Sequence, residues 1–469
     1  MADVTPPRYL RVLSEYVTQT TLDDLPPEVT NRARWLLADT LPLIAAGAKV
    51  AEMRAFAARQ LAANAQGGAS VIGFGRRSAP NVAALLNGTA GTWLEMVEQN
   101  AHAKGLPASQ VIPAALAMAE HHGASGADLL LAIVMGYEAS SRINRAARLR
   151  LAIHSSGTFG TIGAAVAAGK LANLDADAMR ELINVSATLG LASSRKAVLE
   201  GATVGRVYSG ATGYLGILAL DMVQSGMTGE RDGVQSVYGQ VYGESPAGAG
   251  GIPQAPENAF DPDRVIAGLG SEFLITKGFI KMHPVGRSIH PALDLIEDIL
   301  ARRQDQPLDA RDIEHIDFLT YLAPTLLHNK TPTTPFGAQF SLPFAVASLI
   351  HHGRGHVTNF DEKAFAEPAI HELARKVDVT ENPDYTALFP HKQPCDVKVT
   401  LSDGTVIEAS AEYTRGDPMN PHDPKALRNK FFDIAKLVWD DRLATAIFDG
   451  MMTCEKIADV HAFFSRNPI

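Results

Sequence analysis

From Tyr9 to about Met222, apolar residues return every three or four positions, the spacing of helices that each bury one face. Asp23 or Asp24 followed by Pro26-Pro27 marks a helix start. Val29, Ala33, Leu36, Leu37 and Leu41 then keep the helical period, and Gly47 closes it. The small-residue run SAPNVAALLNGTAGTWLEM predicts a helix packed closely inside a bundle, and the stretch from Pro107 to Ala146 predicts two more, broken at Gly123 to Gly126. In IHSSGTFGTIGAAVAAGKLANL, Ser155 or Ser156 is expected to cap a helix, which leaves His154 just outside its N-terminus. The glycines at 201, 205, 210, 213 and 216 lack the GxGxxG context and the Walker lysine of a nucleotide site, and predict close helix contact instead.

The composition shifts at SPAGAGGIPQAPENAFDPD, residues 245–263, which reads as a linker or surface loop. Beyond it the period changes. DIEHIDFLTYL alternates apolar and polar positions, and DVKVTLSDGTVIEASAEY reads as a hairpin turning at Asp403-Gly404. Helices are predicted between them, from Phe340 to His351 and from Pro368 to Lys376, and helical spacing resumes after RGDPMNPHDP. The expected fold is mainly α. A large all-helical domain takes residues 1–275 and 415–469, and a smaller α+β domain, residues 276–414, is inserted before the C-terminal helices.

With 469 residues, 46% of them hydrophobic and 20% charged, the chain has the composition of a soluble globular protein. Its net charge of −9 argues against a nucleic-acid surface. The apolar run Leu129 to Met135 is too short to span a bilayer, and Pro6, Pro7, Arg8 and Arg11 break any signal-peptide pattern. No membrane partner is expected, and a cytoplasmic location follows by exclusion. Cys395 and Cys454 form no ligand cluster, and HEXXH, CxxC and GxSxG are absent, so neither a metal nor a cofactor is expected.

Candidate chemistry concentrates in KGFIKMHPVGRSIHPALDLIEDIL, residues 277 to 300. Pro291 suits the first turn of a helix and places His290 at its entrance. Lys281, Arg287 and His290 beside free backbone N–H groups would hold a carboxylate and let a proton move. A solvated basic loop before an ordinary helix is the plainer reading of the same residues. His154, likewise, reads either as a site histidine or as a capping or buried one.

The segments LDDLPPEVTNRARWLLADTL, NGTAGTWLE, VIPAALAMAE, GYE, IHSSGTFGTIGAAVAAGKL, KGFIKMHPVGRSIHPALD, FSLPFAVA and RGDPMNP follow one another along nearly the whole chain. Together they resemble the MmgE/PrpD family, which includes 2-methylcitrate dehydratase, cis-aconitate decarboxylase and iminodisuccinate epimerase. The resemblance implies a helical domain containing both chain ends, a smaller α+β lid and a homodimer. It also implies a pocket between the domains that takes small di- or tricarboxylates without a required metal. Members move a proton next to a carboxylate, then lose water or carbon dioxide, or invert a centre.

On the family's pattern His154 falls on a pocket histidine, Lys281 on a lid lysine in a KxxP motif, and His290 also matches. Four positions depart from it. Leu106 stands for a histidine before Pro107, Gly205 for a lysine, Gly286 for a lid histidine and Phe344 for a tyrosine, while the acidic segment reads Glu95-Met96-Val97-Glu98-Gln99-Asn100. The resemblance therefore implies His154 as base or acid, and Lys281 as carboxylate ligand or proton carrier. Arg206 and Arg287 are expected to form a cationic clamp beside Gly205 and Gly286. His290, Tyr208, Glu95, Asn100 and Lys104 are further expected substrate-binding residues, with Glu98, His102 and His283 behind them. The implied activity is that of a dehydratase, hydratase or decarboxylase. An isomerase or epimerase, or a carboxylate-binding protein without catalysis, are the alternatives.

Overall fold

The computed structural model describes residues 5–64, 66–244 and 259–469. Most of the expected linker, 245–258, lies outside them. The end of that segment is no surface loop: Ala259 and Phe260 are buried, and Asp261 caps the helix Pro262–Ile266.

The fold is mainly α with a small α+β part, as the periodicity predicts. The helix Pro27–Gly47 begins at the proline pair and runs along the centre of the helical part, where Leu36 and Leu37 are fully buried. Burial of each contributes about 2 kcal/mol. Pro107–His122 stops at Gly123, whose φ of 61° a side chain would resist, and Ser125 caps Gly126–Ala146 by accepting the Asp128 N–H at 3.1 Å. Val207–Gln224 packs against Pro80–Gly91 and Gly160–Leu171. A Cβ on Gly210 would sit 2.1 Å from the Leu85 carbonyl oxygen, so the glycine series serves close helix approach.

In the smaller part, the strands Val377–Glu381, Ile313–Thr320, Cys395–Leu401 and Val406–Ala411 lie side by side in that order. The first pair is parallel and the others antiparallel. Ile313, Ile316, Phe318 and Thr320 point inward, towards a core shared with His290–Arg302, Leu342–His352 and Pro368–Ala374. The edge strand Val377–Glu381 has no alternation long enough to read, because only Val377 is fully covered. The hairpin pair Ala69–Val71 and Arg76–Ser78 is too short to show a period at all.

Among the described residues these elements build two large hydrophobic cores, with two small clusters beside them. Pro424–Ala435 and Asp441–Met452 return to the larger one, where Phe431 and Ile447 join the residues of the N-terminal helices. Ile280 belongs to that core and Val285 to the other. The Lys281-Met282-His283-Pro284 motif therefore crosses from one core to the next.

Candidate active site

A cavity of about 140 Å³ opens between the two parts. Glu95, Leu106, His154, Arg195 and Arg206 line it from the helical side, and Gly286, Arg287, Phe336 and Phe340 from the other.

Glu95 is the centre of its electrostatics. The chain leaves Pro80–Gly91, and at Glu95 the backbone takes a φ of 54°, a left-handed conformation that L-residues avoid and that marks stored strain. The surrounding contacts hold it there. Lys281 Nζ donates to Glu95 Oε1 at 2.7 Å and to its carbonyl oxygen at 3.1 Å. Arg206 Nη1 donates to Glu95 Oε2 at 3.2 Å and to the Thr92 carbonyl at 2.9 Å, while Nη2 reaches Gln339 Oε1. The face of Phe336 lies 3.6 Å from that guanidinium. Burial alone would push the Glu95 carboxyl up, but the Lys281 ammonium and Arg206 guanidinium outweigh it and hold it below the usual range. Lys281 is fully buried behind Glu95. Burial pushes its ammonium down from the ordinary lysine value, Glu95 opposes this, and Arg206 and Arg287 add to it.

His154 sits on a short extended segment, where Ile153 bridges Ser194. Its N–H donates to the Ser193 carbonyl at 2.8 Å, and Ser193 Oγ returns a bond to the His154 carbonyl at 2.8 Å. The ring Nδ1 accepts the Ser156 backbone N–H at 3.2 Å. A backbone N–H only donates, so in the neutral ring the proton sits on Nε2. Burial first, then the charges of Arg195 and Lys281, push this imidazole down to about 4, with Glu95 opposing. At neutral pH His154 is an uncharged hydrogen-bond donor. The expected cap at Ser155 or Ser156 does not form: Gly157 turns the chain at a φ of 95°, and the helix starts only at Gly160, with no side-chain cap.

Arg287 is buried over the Phe279 ring, 3.9 Å from Asp417, and among the described residues its buried Nε has no hydrogen-bond partner. Tyr208 stands one layer back, with its ring 6.1 Å from that of His154 and its hydroxyl 3.5 Å from the Ser194 carbonyl. Three expected residues lie away from the cavity wall. His290 does open its helix, but its ring packs edge-on to Phe279 and against His283, and burial holds it well below the ordinary histidine value. Asn100 is engaged internally: its amide donates to the Tyr137 hydroxyl and the Leu274 carbonyl, and its Oδ1 accepts the Ala103 N–H. Lys104 is exposed and donates to the Ala147 carbonyl at 2.8 Å. In this structure the carboxylate beside Lys281 is the protein's own Glu95.

Of the departures from the family pattern, Leu106, Gly205 and Gly286 line the cavity, whereas Phe344 is buried in the smaller core against Phe360, Phe365 and His371. His102 meets His391 at 5.6 Å between ring centres, away from the cavity wall. His283 Nε2 lies 3.9 Å from Asp294 and 3.7 Å from Glu297, a grouping that linear spacing does not reveal. Arg415 donates to Glu297 at 2.9 Å, and the Thr414 hydroxyl and Arg415 N–H donate to Asp294, so both acids already have partners. Sequence reading missed Arg195 and Gln339. Gln339 gave no signal; Arg195 gave only a charge in a small-residue segment.

The fold and cavity define a two-part, mainly helical protein with a small pocket between its parts that three arginines line. The chain belongs to the MmgE/PrpD family: residues 11–243 match the model of the MmgE/PrpD N-terminal domain, and residues 283–452 that of the C-terminal domain. Cis-aconitate decarboxylase-like protein oryM of Aspergillus oryzae is 26% identical over 96% of this chain and 95% of its own length. Cis-aconitate decarboxylase of Aspergillus terreus is 24% identical over 93% and 91%. The mouse cis-aconitate decarboxylase is 23% identical over 82% and 77%. No helix among the described residues is long and apolar enough to cross a membrane.

Proposed function

We propose that this protein is a lyase that acts on a small di- or tricarboxylic acid by moving a proton from the carbon next to a carboxylate. The observation that carries the reading is the pairing, in one cavity, of an ionised Glu95 with a neutral N–H donor, His154. The carbon acid is weak, so its proton leaves only if the enolate charge is stabilised as it forms. Arg287, with its Nε free, holds the substrate carboxylate, and His154 Nε2–H donates to the oxygen on which charge develops. Glu95 receives the proton. Two cations make that carboxylate a weak base, so the stabilisation at His154 and Arg287 is what moves the proton, and Lys281 keeps Glu95 ionised and ready to take it. The electron pair then expels a neighbouring hydroxyl, which leaves as water with the proton that Glu95 took up.

Leu106 on the cavity wall supports a second reading, an epimerase, because no acid stands there to protonate a leaving group. Proton NMR in D₂O with a panel of di- and tricarboxylates separates the two. New alkene signals are expected for a lyase. Deuterium uptake without net product means epimerisation, and saturable binding with neither means that the cavity only binds.

A further inference from the structure

Three guanidiniums line the cavity, and they are not equivalent. Arg206 is committed to Glu95, Thr92 and Gln339. Arg287, from the smaller part, is 3.9 Å from Asp417 and keeps an unpartnered Nε. Arg195, from the helical part, opens the short helix Arg195–Leu199. Its Nε donates to the Leu151 carbonyl at 2.7 Å and its Nη2 to the Ile153 carbonyl at 3.3 Å. Those carbonyls fix the plane of the guanidinium without cancelling its charge, and among the described residues no carboxylate pairs with it. The Arg195 backbone N–H also donates to the Ala152 carbonyl, so side chain and main chain both tie it to the segment that carries His154. Its charge is already felt at the His154 ring.

Resting on the reading of this cavity as a carboxylate site, we propose that Arg195 is a specificity-determining residue that binds the substrate's second carboxylate. Arg287 takes the first from the other part of the molecule, and the reacting carbon lies between them beside Glu95 and His154. Arg195, which no carboxylate balances among the described residues, adds to the partly balanced Arg287 a second guanidinium across the cavity, and the two select a dianion over a monoanion of the same length. A planar fork held at two donors leaves Nη1 to meet the incoming oxygen, which costs little further ordering. Arg206 is then a positioning residue that keeps Glu95 ionised, not a clamp.

The test is calorimetric titration of the full chain with succinate and with succinamate, in which an amide replaces one carboxylate. The unmodified protein is expected to bind succinate ~10- to 100-fold more tightly, as a charge-assisted contact implies. Arg195→Ala should bind both equally, at the succinamate level, and Arg195→Lys should keep part of the preference. If Arg195→Ala fails to fold, the reduced preference of Arg195→Lys carries the test. An unchanged succinate preference in the variants overturns the role of Arg195 alone. Failure of the unmodified protein to bind either compound overturns the carboxylate reading of the cavity as well.

Discussion

Glu95 and Glu98 lie three positions apart on one loop, both buried, and their environments drive them in opposite directions. Glu95 meets an ammonium and a guanidinium and stays ionised. Glu98 accepts the Tyr137 hydroxyl at 2.7 Å and the Ala108 N–H at 3.3 Å, and no cation lies within ion-pair distance of it among the described residues. Burial dominates there and raises it to about 7, despite those bonds and the field of Arg32. One carboxylate forms part of the cavity wall, and the other ties Tyr137 and the start of Pro107–His122 together. What separates the two acids is the placement of two cations, not depth of burial.

Glu95→Gln should break that contrast most severely. It removes the proton acceptor, and steady-state assays should show turnover lower by ~10³- to 10⁴-fold, the scale of a lost acid–base group; turnover near the unmodified level would remove Glu95 from the chemistry. Lys281→Met leaves Glu95 with Arg206 alone and should cost about 3 kcal/mol in urea unfolding, because it strips one partner from a buried charge. The double variant Glu95→Gln with Lys281→Met should recover most of that loss. His154→Ala should lower kcat by about 10²- to 10³-fold, as loss of a donor to a developing oxyanion does, with the unfolding midpoint little changed.

Glu98→Gln sharpens the comparison from the quiet side, with turnover expected near the unmodified level. Its signature lies in stability against pH. The folded carboxyl titrates at about 7 and the unfolded one near the ordinary glutamate value of 4.5, so between these the native state binds the extra proton. The Glu98 contribution is therefore fully present below pH 4.5 and is lost as pH rises to 7, a fall of about 3 kcal/mol. The variant should lack this slope. His154 works the other way. Its native value of about 4 lies below the ordinary histidine value of 6.5, so stability is lost as pH falls from 6.5 to 4, and His154→Ala should flatten that limb.

The elements were legible where their signal is local. Proline pairs, capping residues and apolar periods marked Pro27–Gly47 and Gly126–Ala146, and Asp403-Gly404 marked the turn between Cys395–Leu401 and Val406–Ala411. Short strands without a full period were not legible, nor was the late start of Gly160–Leu171, which depends on the turn at Gly157 and on the Ser156 N–H bonding to an imidazole. At the candidate site, the sequence and its family resemblance pointed to His154, Lys281, Arg206, Arg287 and Glu95, which the structure gathers around one space. They also pointed to Asn100, Lys104 and His290, whose polar atoms the structure turns elsewhere, because residue type and neighbourhood in the chain do not say where a side chain points.

By itself, the sequence determined a mainly helical chain with an α+β insertion and a basic motif at the junction of two cores, since hydrophobic period, proline and glycine act over a few residues. Only the tertiary structure decided that Lys281 answers Glu95, a partner 186 positions away, and that a backbone N–H puts the His154 proton on Nε2. It alone decided that Glu98 is held by a tyrosine instead of a cation. The charge on a buried group depends on what surrounds it in three dimensions, and that is set by contacts between segments which carry no mark of one another in the linear order.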